Sequence, residues 1–420
     1  MSASTTPHIT DVASPDRMTS DEIRASTSLA SIFALRMLGL FLILPVFAIH
    51  ARGLPGGDNT TLVGLAIGIY GLTQACLQIP FGVASDKFGR KSVIIVGLIL
   101  FALGSFIAAY ATDLHQIIIG RSIQGAGAIS AAVTAFIADA TREEHRTKAM
   151  AMVGGSIGLT FAGSMVASPL LYPIIGMKGL FEMTGILSIL AIGVVLWIVP
   201  AAKQVHASAL GDKIPFMDVL MNPELLRLNF GIFVLHLVQM AMFVVVPVAI
   251  VDAVGLPVNE HWKVYLPVVI VSFVLMVPPI IVAEKKGKMK QIFLTSIAIM
   301  ALVQLGMMIW LYQSTLLVAL LLGFFIAFNV LEATLPSMVS RVAPPAAKGM
   351  ALGIYNTTQA FGLFAGGAVG GWLSKTYDYH AVFAMGVALV VAWFIIAKPM
   401  KNLPVRQKKQ AAPVSQQASA

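Results

Sequence analysis

Four residues able to carry charge stand inside long apolar stretches of the chain: Arg36, Arg121, His236 and Glu332. A charged side chain at bilayer depth costs at least about 2.5–3.5 kcal/mol on insertion scales, so each must face protein or a polar path rather than lipid. Glu332 is the only acid deep in such a stretch, which suits a carboxyl that takes up and releases a proton. The plainer alternative is a hydrogen-bonded Glu beside Asn329. His236 can titrate near neutral pH, or serve as a satisfied interior histidine. Arg121, with Gln124 one turn on, can tune a neighbouring proton site or hold an anionic group; it can also be a structural guanidinium held by carbonyls and Gln124. Arg36 has the same two readings. Gln74, Gln78, Gln239, Asn329, Asn356 and Gln359 are candidates to line a cavity, or join helices by hydrogen bonds.

A second group lies in a short polar loop, Gly82-Val-Ala-Ser-Asp86-Lys87-Phe-Gly89-Arg90-Lys91. Gly82 lets another helix approach closely, and Gly89 permits a tight turn. Asp86 is placed to accept from backbone donors or an arginine, and Arg90 can make a directed, bidentate contact with a carboxylate. Lys87 and Lys91 alone read as ordinary basic loop residues. Gly154-Gly-Ser156-Ile-Gly158 matches the Gly-x-Ser-x-Gly elbow of hydrolases. That elbow needs a strand before it and a His and an acid in reach. No convincing strand precedes it here, so a membrane-embedded hydrolase is a remote alternative.

The elements that must hold these residues are helices. A spanning helix needs about 20 mostly apolar residues, and twelve such runs occur: 27–50, 60–84, 92–111, 115–138, 147–171, 178–200, 225–250, 262–283, 291–312, 315–338, 347–371 and 379–397. They are too long and too weakly alternating for barrel strands. The chain therefore divides into an N-terminal segment (1–26), a six-helix bundle (27–200), a linker (201–224), a second six-helix bundle (225–397) and a disordered tail (398–420). The expected fold is an all-α membrane protein of two pseudo-symmetric bundles.

Composition agrees. Of 420 residues, 58% are apolar and 11% charged, against about 25% charged in a soluble domain. The net charge of +9 sits in short loops, so membrane orientation explains it better than nucleic acid. With the N-terminus in the cytoplasm, 22 of the 28 Lys and Arg fall on the cytoplasmic side. Only Arg52, Lys178, Lys263 and Lys375 fall opposite. Both termini are thus expected to be cytoplasmic. The single cysteine, Cys76, excludes an intrachain disulfide. No signal peptide is read at the N-terminus. No nucleotide-binding motif occurs, so ATP is not expected to drive the protein, and no cofactor or metal is expected.

The halves resemble each other. Pro80-x5-Asp86-Lys87-x-Gly89-Arg90 returns as Pro278-x5-Glu284-Lys285-x-Gly287-Lys288. Lys148-Ala-Met-Ala151 returns as Lys348-Gly-Met-Ala351. Two matches at nearly one offset indicate an internal repeat, a known transporter design.

The loop from Gly82 to Lys91 resembles the signature of the major facilitator superfamily. Arg121-Ser-Ile-Gln124-Gly125 is similar to a second segment of that family, associated with proton-coupled members. Arg36-Met-Leu-Gly-Leu-Phe and Asp139-Ala-Thr-Arg142 resemble the YajR-like branch of drug–proton antiporters, here without the extra C-terminal cytosolic domain of that branch's namesake. The resemblance covers residues 27–400. It implies a bacterial inner-membrane secondary transporter, multi-pass and expected as a monomer, with a small-molecule substrate, protons and the lipid bilayer as its partners. It implies that Asp86, Arg90 and Asp139 pair and brace the outward-open form. It also implies export of small organic compounds in exchange for protons. The family's antiporter signature ends in Gly-Pro; Ser168-Pro169 departs from it, which keeps proton-coupled uptake of a metabolite as the alternative. The third class, a transport-dead sensor, fits poorly with the intact charges Asp86, Arg90, Arg121 and Asp139.

Overall fold

A computed structural model describes residues 17–200, 214–344 and 347–402. No strand occurs among the described residues. Fourteen α-helices run in chain order: α1 (Ser20–Phe41), α2 (Leu44–Ala51), α3 (Thr60–Phe88), α4 (Arg90–Ala109), α5 (Leu114–Ala126), α6 (Ser130–Ala140), α7 (Glu143–Gly193), α8 (Phe216–Leu220), α9 (Pro223–Ala249), α10 (Trp262–Lys285), α11 (Met289–Trp310), α12 (Ser314–Val342), α13 (Lys348–Thr376) and α14 (Tyr379–Ala397).

All but the short α8 combine into twelve spans. The first predicted run breaks at Leu42–Ile43 into α1 and α2, and Pro45 stands in the first turn of α2, where a missing N–H costs nothing. The run 115–138 breaks after Gly127 into α5 and α6. In the other direction, two predicted runs join as α7, whose 51 residues would reach roughly 75 Å if straight. The hydrocarbon core is only about 30 Å thick. Gly176, at φ 65° and ψ −177°, is non-helical and divides α7 into two spans. Ten segments of the described residues are long and apolar enough to cross a membrane, with α7 counted once. The twelfth span is α13. Its glycines and Asn356-Thr-Thr-Gln359 lower its mean hydropathy, yet it packs at the centre of the molecule against α3 and α9.

Helix α1 begins before the first apolar run. Thr19 caps it, its hydroxyl accepting from the Glu22 N–H while the Glu22 carboxylate accepts from the Thr19 N–H. Glu22 also accepts from Arg142, 3.0 Å to Nε, tying the start of α1 to the start of α7. The linker 201–224 contains α8, which the apolar pattern did not indicate; residues 201–213 and 403–420 lie outside the described residues.

Large apolar residues are exposed on the outer helices, among them Val96, Leu159, Trp197, Val274, Leu302 and Ile395. In a chain of this composition lipid covers them. The helix α9, by contrast, is buried on nearly all sides. The bundle has two ends, marked by Asp58 and Asp86. At the Asp58 end the two halves touch. α3 and α13 come so close that a Cβ added to Gly64 would lie 2.1 Å from the Gly367 carbonyl oxygen. One added to Gly371 would lie 2.4 Å from the Thr60 oxygen. Thr60 Oγ1 donates to the Gly371 carbonyl at 3.1 Å, and Arg52 pairs with Asp252 at 3.8 Å. Toward the Asp86 end the same helices part: Ile79 and Val83 of α3 are exposed, and a Cβ at Gly349 or Gly353 of α13 would meet nothing within 4 Å.

Candidate substrate and proton site

The mid-depth polar groups form two clusters, one in each half. In the C-terminal half, α9 supplies His236, α12 supplies Glu332 and α13 supplies Gln359. His236 Nδ1 lies 3.2 Å from the Ile232 carbonyl oxygen, which can only accept, so Nδ1 carries the proton. That leaves Nε2 to accept from Gln359 Nε2, at 2.7 Å. The same amide nitrogen donates to Glu332 Oε1 at 3.5 Å, and Glu332 Oε2 is 3.7 Å from His236 Nε2. One amide thus bridges two groups that can each take a proton. The Glu332 side chain is 34% exposed, whereas that of His236 is 7% exposed. Phe328, one turn before Glu332, lies edge-on to His236 with centroids 5.7 Å apart. Phe161 of the other half meets Phe325 and Phe328 at 5.8 and 6.1 Å. Phe325 and Phe328 precede Glu332 along α12, on the side of the Asp58 end.

In the N-terminal half, Arg121 Nη1 donates to Gln124 Oε1, and Gln124 Nε2 donates to Ser105 Oγ at 2.8 Å. The remaining Arg121 donors reach the carbonyls of Gly39, Ala66 and Ile67 at 3.4–3.5 Å. The Tyr70 ring lies 4.9 Å from Arg121 Cζ and 5.6 Å from Arg36 Cζ. Arg36 Nη1 donates to Ser130 Oγ. Tyr70 was not singled out in the sequence, although it precedes Gln74 and Gln78 by one and two helical turns and shares their face. Gln74 and Gln78 are buried, and Gln78 makes no hydrogen bond through either amide atom. Asn329 donates to Ser272 Oγ at 3.1 Å rather than to Glu332. Gln239 is buried with Oε1 unbonded, and Asn356 is part-exposed on α13. None of these five is brought to either charged cluster by a direct bond.

The third group stands at the Asp86 end. Gly89, at φ 91°, turns the chain from α3 into α4, so Arg90 opens α4 facing back. Arg90 Nε donates to Asp139 Oδ2 at 2.8 Å, and its Nη1 bonds both Asp86 Oδ1 and Ser85 Oγ. A Cβ on Gly82 would sit 3.4 Å from the Ala131 Cβ, an ordinary contact, so the expected close helix approach does not require glycine there. The whole group lies within one half, and Asp86 remains 67% exposed. Lys91 donates to the Val199 carbonyl at 2.6 Å, satisfying the end of the sixth span. Ser85 was missed in the sequence because a serine near a helix end carries no signal by type. In the other half, Gly287 repeats the positive φ at 66°, and Glu284 pairs with Arg341 at 3.6 Å. There the arginine comes from the end of α12 rather than from the loop.

Ser156 Oγ donates to the carbonyls of Val153 and Ala30, at 2.7 and 3.2 Å. It is a helix residue bonded to backbone, and the geometry of a nucleophile elbow is not present.

Twelve spans around a polar interior, with titratable and cationic groups held between helices, define a polytopic membrane transporter rather than an enzyme. The chain belongs to the Major Facilitator Superfamily, whose family model matches residues 29–330 and 281–419. It is 44% identical to the inner membrane transport protein YajR of Escherichia coli (strain K12) over 392 residues, 92% of this chain and 86% of that protein, and lies in the YajR-like branch. It is 24% identical to the multidrug resistance protein MdtH of Yersinia enterocolitica over 81% of this chain and 84% of that one. Among solved structures, a bacterial homolog to the human lysosomal transporter Spinster, inward-facing and occupied, superposes with a TM-score of 0.70. That match has 12% identity and covers 91% of this chain and 96% of the other.

Proposed function

We propose that the protein is a proton-coupled exporter of small organic compounds, working by alternating access in the bacterial inner membrane. The observation that carries this reading is the Glu332–Gln359–His236 bridge. It sets the carboxyl of Glu332, whose side chain is one-third exposed, 3.7 Å from His236 Nε2 with the Gln359 amide between them. A proton arriving there has two acceptors linked through one amide. Loss or gain of that proton changes the charge facing the cargo, which is what coupling requires. The multidrug resistance protein among the relatives supports export.

The direction in the membrane follows from charge. Lys87, Arg90, Lys91, Arg142, Arg227, Lys285, Lys288, Arg341 and Lys348 gather at the Asp86 end. The positive-inside tendency makes that end cytoplasmic, with both termini beside it. The conformation is then closed outside and open inside. The six-helix units 27–200 and 225–397 would move against each other, with the Asp86–Arg90–Asp139 group riding on the first. Because Asp86 is exposed, its carboxylate is free to meet the other unit when the cytoplasmic side closes, the packing that accompanies an outward-open form. Proton-coupled uptake is the second reading, favoured by Ser168 standing before Pro169 where the exporter signature has Gly.

The test compares a strain overexpressing the protein with one lacking it, across a panel of organic compounds, scored for both resistance and accumulation. Export predicts that at least one compound is better tolerated and less accumulated by the overexpressing strain. Greater accumulation in that strain would favour uptake instead.

A further inference from the structure

Two guanidinium groups are buried in the N-terminal half without a carboxylate. Arg36 and Arg121 are both 0% exposed. Among the described residues no Asp or Glu oxygen lies within 4.0 Å of either one. Arg121 spreads its donors over Gln124 and three carbonyls. Arg36 has one partner, Ser130 Oγ on Nη1, while its Nε and Nη2 make no hydrogen bond. Those two nitrogens are adjacent on one edge of the planar group, and that edge is the fork that takes both oxygens of a carboxylate. The Tyr70 ring lies 5.6 Å from Arg36 Cζ, and its hydroxyl and, one turn further along α3, Gln74 Oε1 are also buried without a hydrogen-bond partner.

The described residues offer these two groups no carboxylate counter-charge within 4.0 Å. Glu332, the one acid deep in an apolar span, belongs to the other half and is engaged with Gln359 and His236. The N-terminal half therefore presents two uncompensated positive charges in a medium of low dielectric, where their field reaches further than in water. Ser130, which bonds Arg36, is the first residue of α6, directly after the break that separates it from α5. Arg36 stands little more than one turn before the break between α1 and α2. The bond thus joins two helices that can each bend close to it.

We propose that this pair receives the anionic group of the transported compound, a small organic acid bearing a carboxylate, sulfonate or phosphate. Arg36 grips it through the free Nε–Nη2 edge, and Arg121 supplies the second charge. The edge is occluded in the conformation described here, and it opens as the halves exchange packing. This assignment names a cargo class for the exporter proposed above and rests on that reading.

The experiment uses the full-length protein in lipid nanodiscs and follows its thermal unfolding with intrinsic tryptophan fluorescence. The probes are benzoate, naphthalene-2-sulfonate and phenyl phosphate, with phenyltrimethylammonium as a cation of similar size. The proposal predicts a saturable rise in unfolding temperature with at least one of the three anions and none with the cation. Arg36→Gln should abolish that rise. Arg36→Lys, which keeps the charge and loses the fork, should weaken apparent affinity about tenfold or more. No saturable rise with any of the anions overturns it. So does a variant that responds like the unmodified protein, and Arg36→Lys alone decides if Arg36→Gln does not insert. Proton flux driven by a cationic compound, with no anion binding, would remove this site and leave the exporter. Anion binding without substrate-driven proton flux would do the reverse.

Discussion

Glu332 and His236 share the side-chain amide of Gln359 and stand 3.7 Å apart, two groups that can each hold a proton. Glu332→Gln keeps the shape and the hydrogen-bond capacity toward Gln359 but removes the titrating group. Transport should then persist as exchange or downhill movement and lose its response to a pH gradient, read as substrate flux at fixed substrate and varied external pH. The Asp86 carboxylate is a different kind of residue. Arg90 retains Asp139 at 2.8 Å and Ser85 at 2.7 Å without it, so Asp86→Asn should leave insertion and folding intact. Its predicted effect is loss of transport, because the exposed charge is what the opposite half meets on closing. Normal transport by Asp86→Asn, with membrane content confirmed by immunoblot, would remove that role. Much of the residue scale was readable from the chain. A charged type in an apolar run identifies itself, and Arg36, Arg121, Glu332 and His236 all proved to be interior groups with polar neighbours. Tyr70 and Ser85 did not identify themselves, since their types are ordinary in a membrane helix. Only the helical spacing from Tyr70 to Gln74 and Gln78 could have marked the first of them.

At the scale of elements, the approach of α3 and α13 is the decisive contact between the halves. Backbone atoms occupy the positions that side chains at Gly64, Gly68, Gly367 and Gly371 would need. Close packing of this kind drives helix association in lipid, where there is no hydrophobic gain between helices. A methyl group at Gly367 would stand 2.4 Å from the Gly64 carbonyl oxygen, against rigid backbone. Overpacking typically costs about 1–3 kcal/mol, and about 1.4 kcal/mol changes an equilibrium tenfold. Gly367→Ala should therefore shift the population about fivefold to a hundredfold away from closure at the Asp58 end. A cysteine at Thr60, with Cys76 replaced by Ser, would then react faster with an impermeant maleimide added from that side. An unchanged rate would show that the packing does not hold this end shut. The helices themselves were legible as apolar runs, but not all their interruptions were. Pro45 follows the break at Leu42–Ile43 and cannot donate to the preceding turn, whereas the break after Gly127 coincides with close packing, a Cβ at Gly127 lying 2.3 Å from the Gly97 oxygen. α8 was hidden because five residues carry no period.

For the whole molecule, two contacts could hold the Asp58 end closed, and magnitude separates them. The Arg52–Asp252 pair spans the halves at 3.8 Å with both side chains nearly half exposed, 48% and 43%. Such a pair is worth about 0–1 kcal/mol. Arg52→Gln should accordingly change transport rates by less than about fivefold at saturating substrate, a smaller effect than Gly367→Ala. The aromatic contact of Phe161 with Phe325 and Phe328 adds a further contact between the halves, from residues that precede Glu332 in α12. The two-fold repeat was visible in the sequence as a returning loop. That the second copy would set Glu284 against Arg341 was not, because Arg341 lies 57 residues further along the chain.

The claim that joins these scales is that cargo and proton move in exchange through Glu332. The most direct measurement is substrate-driven proton flux in proteoliposomes carrying a pH-sensitive dye, using a compound that the cell panel identifies. The account predicts proton movement opposite to the substrate gradient with the unmodified protein, and substrate movement without proton movement with Glu332→Gln. Equal proton flux in the two proteins would contradict it.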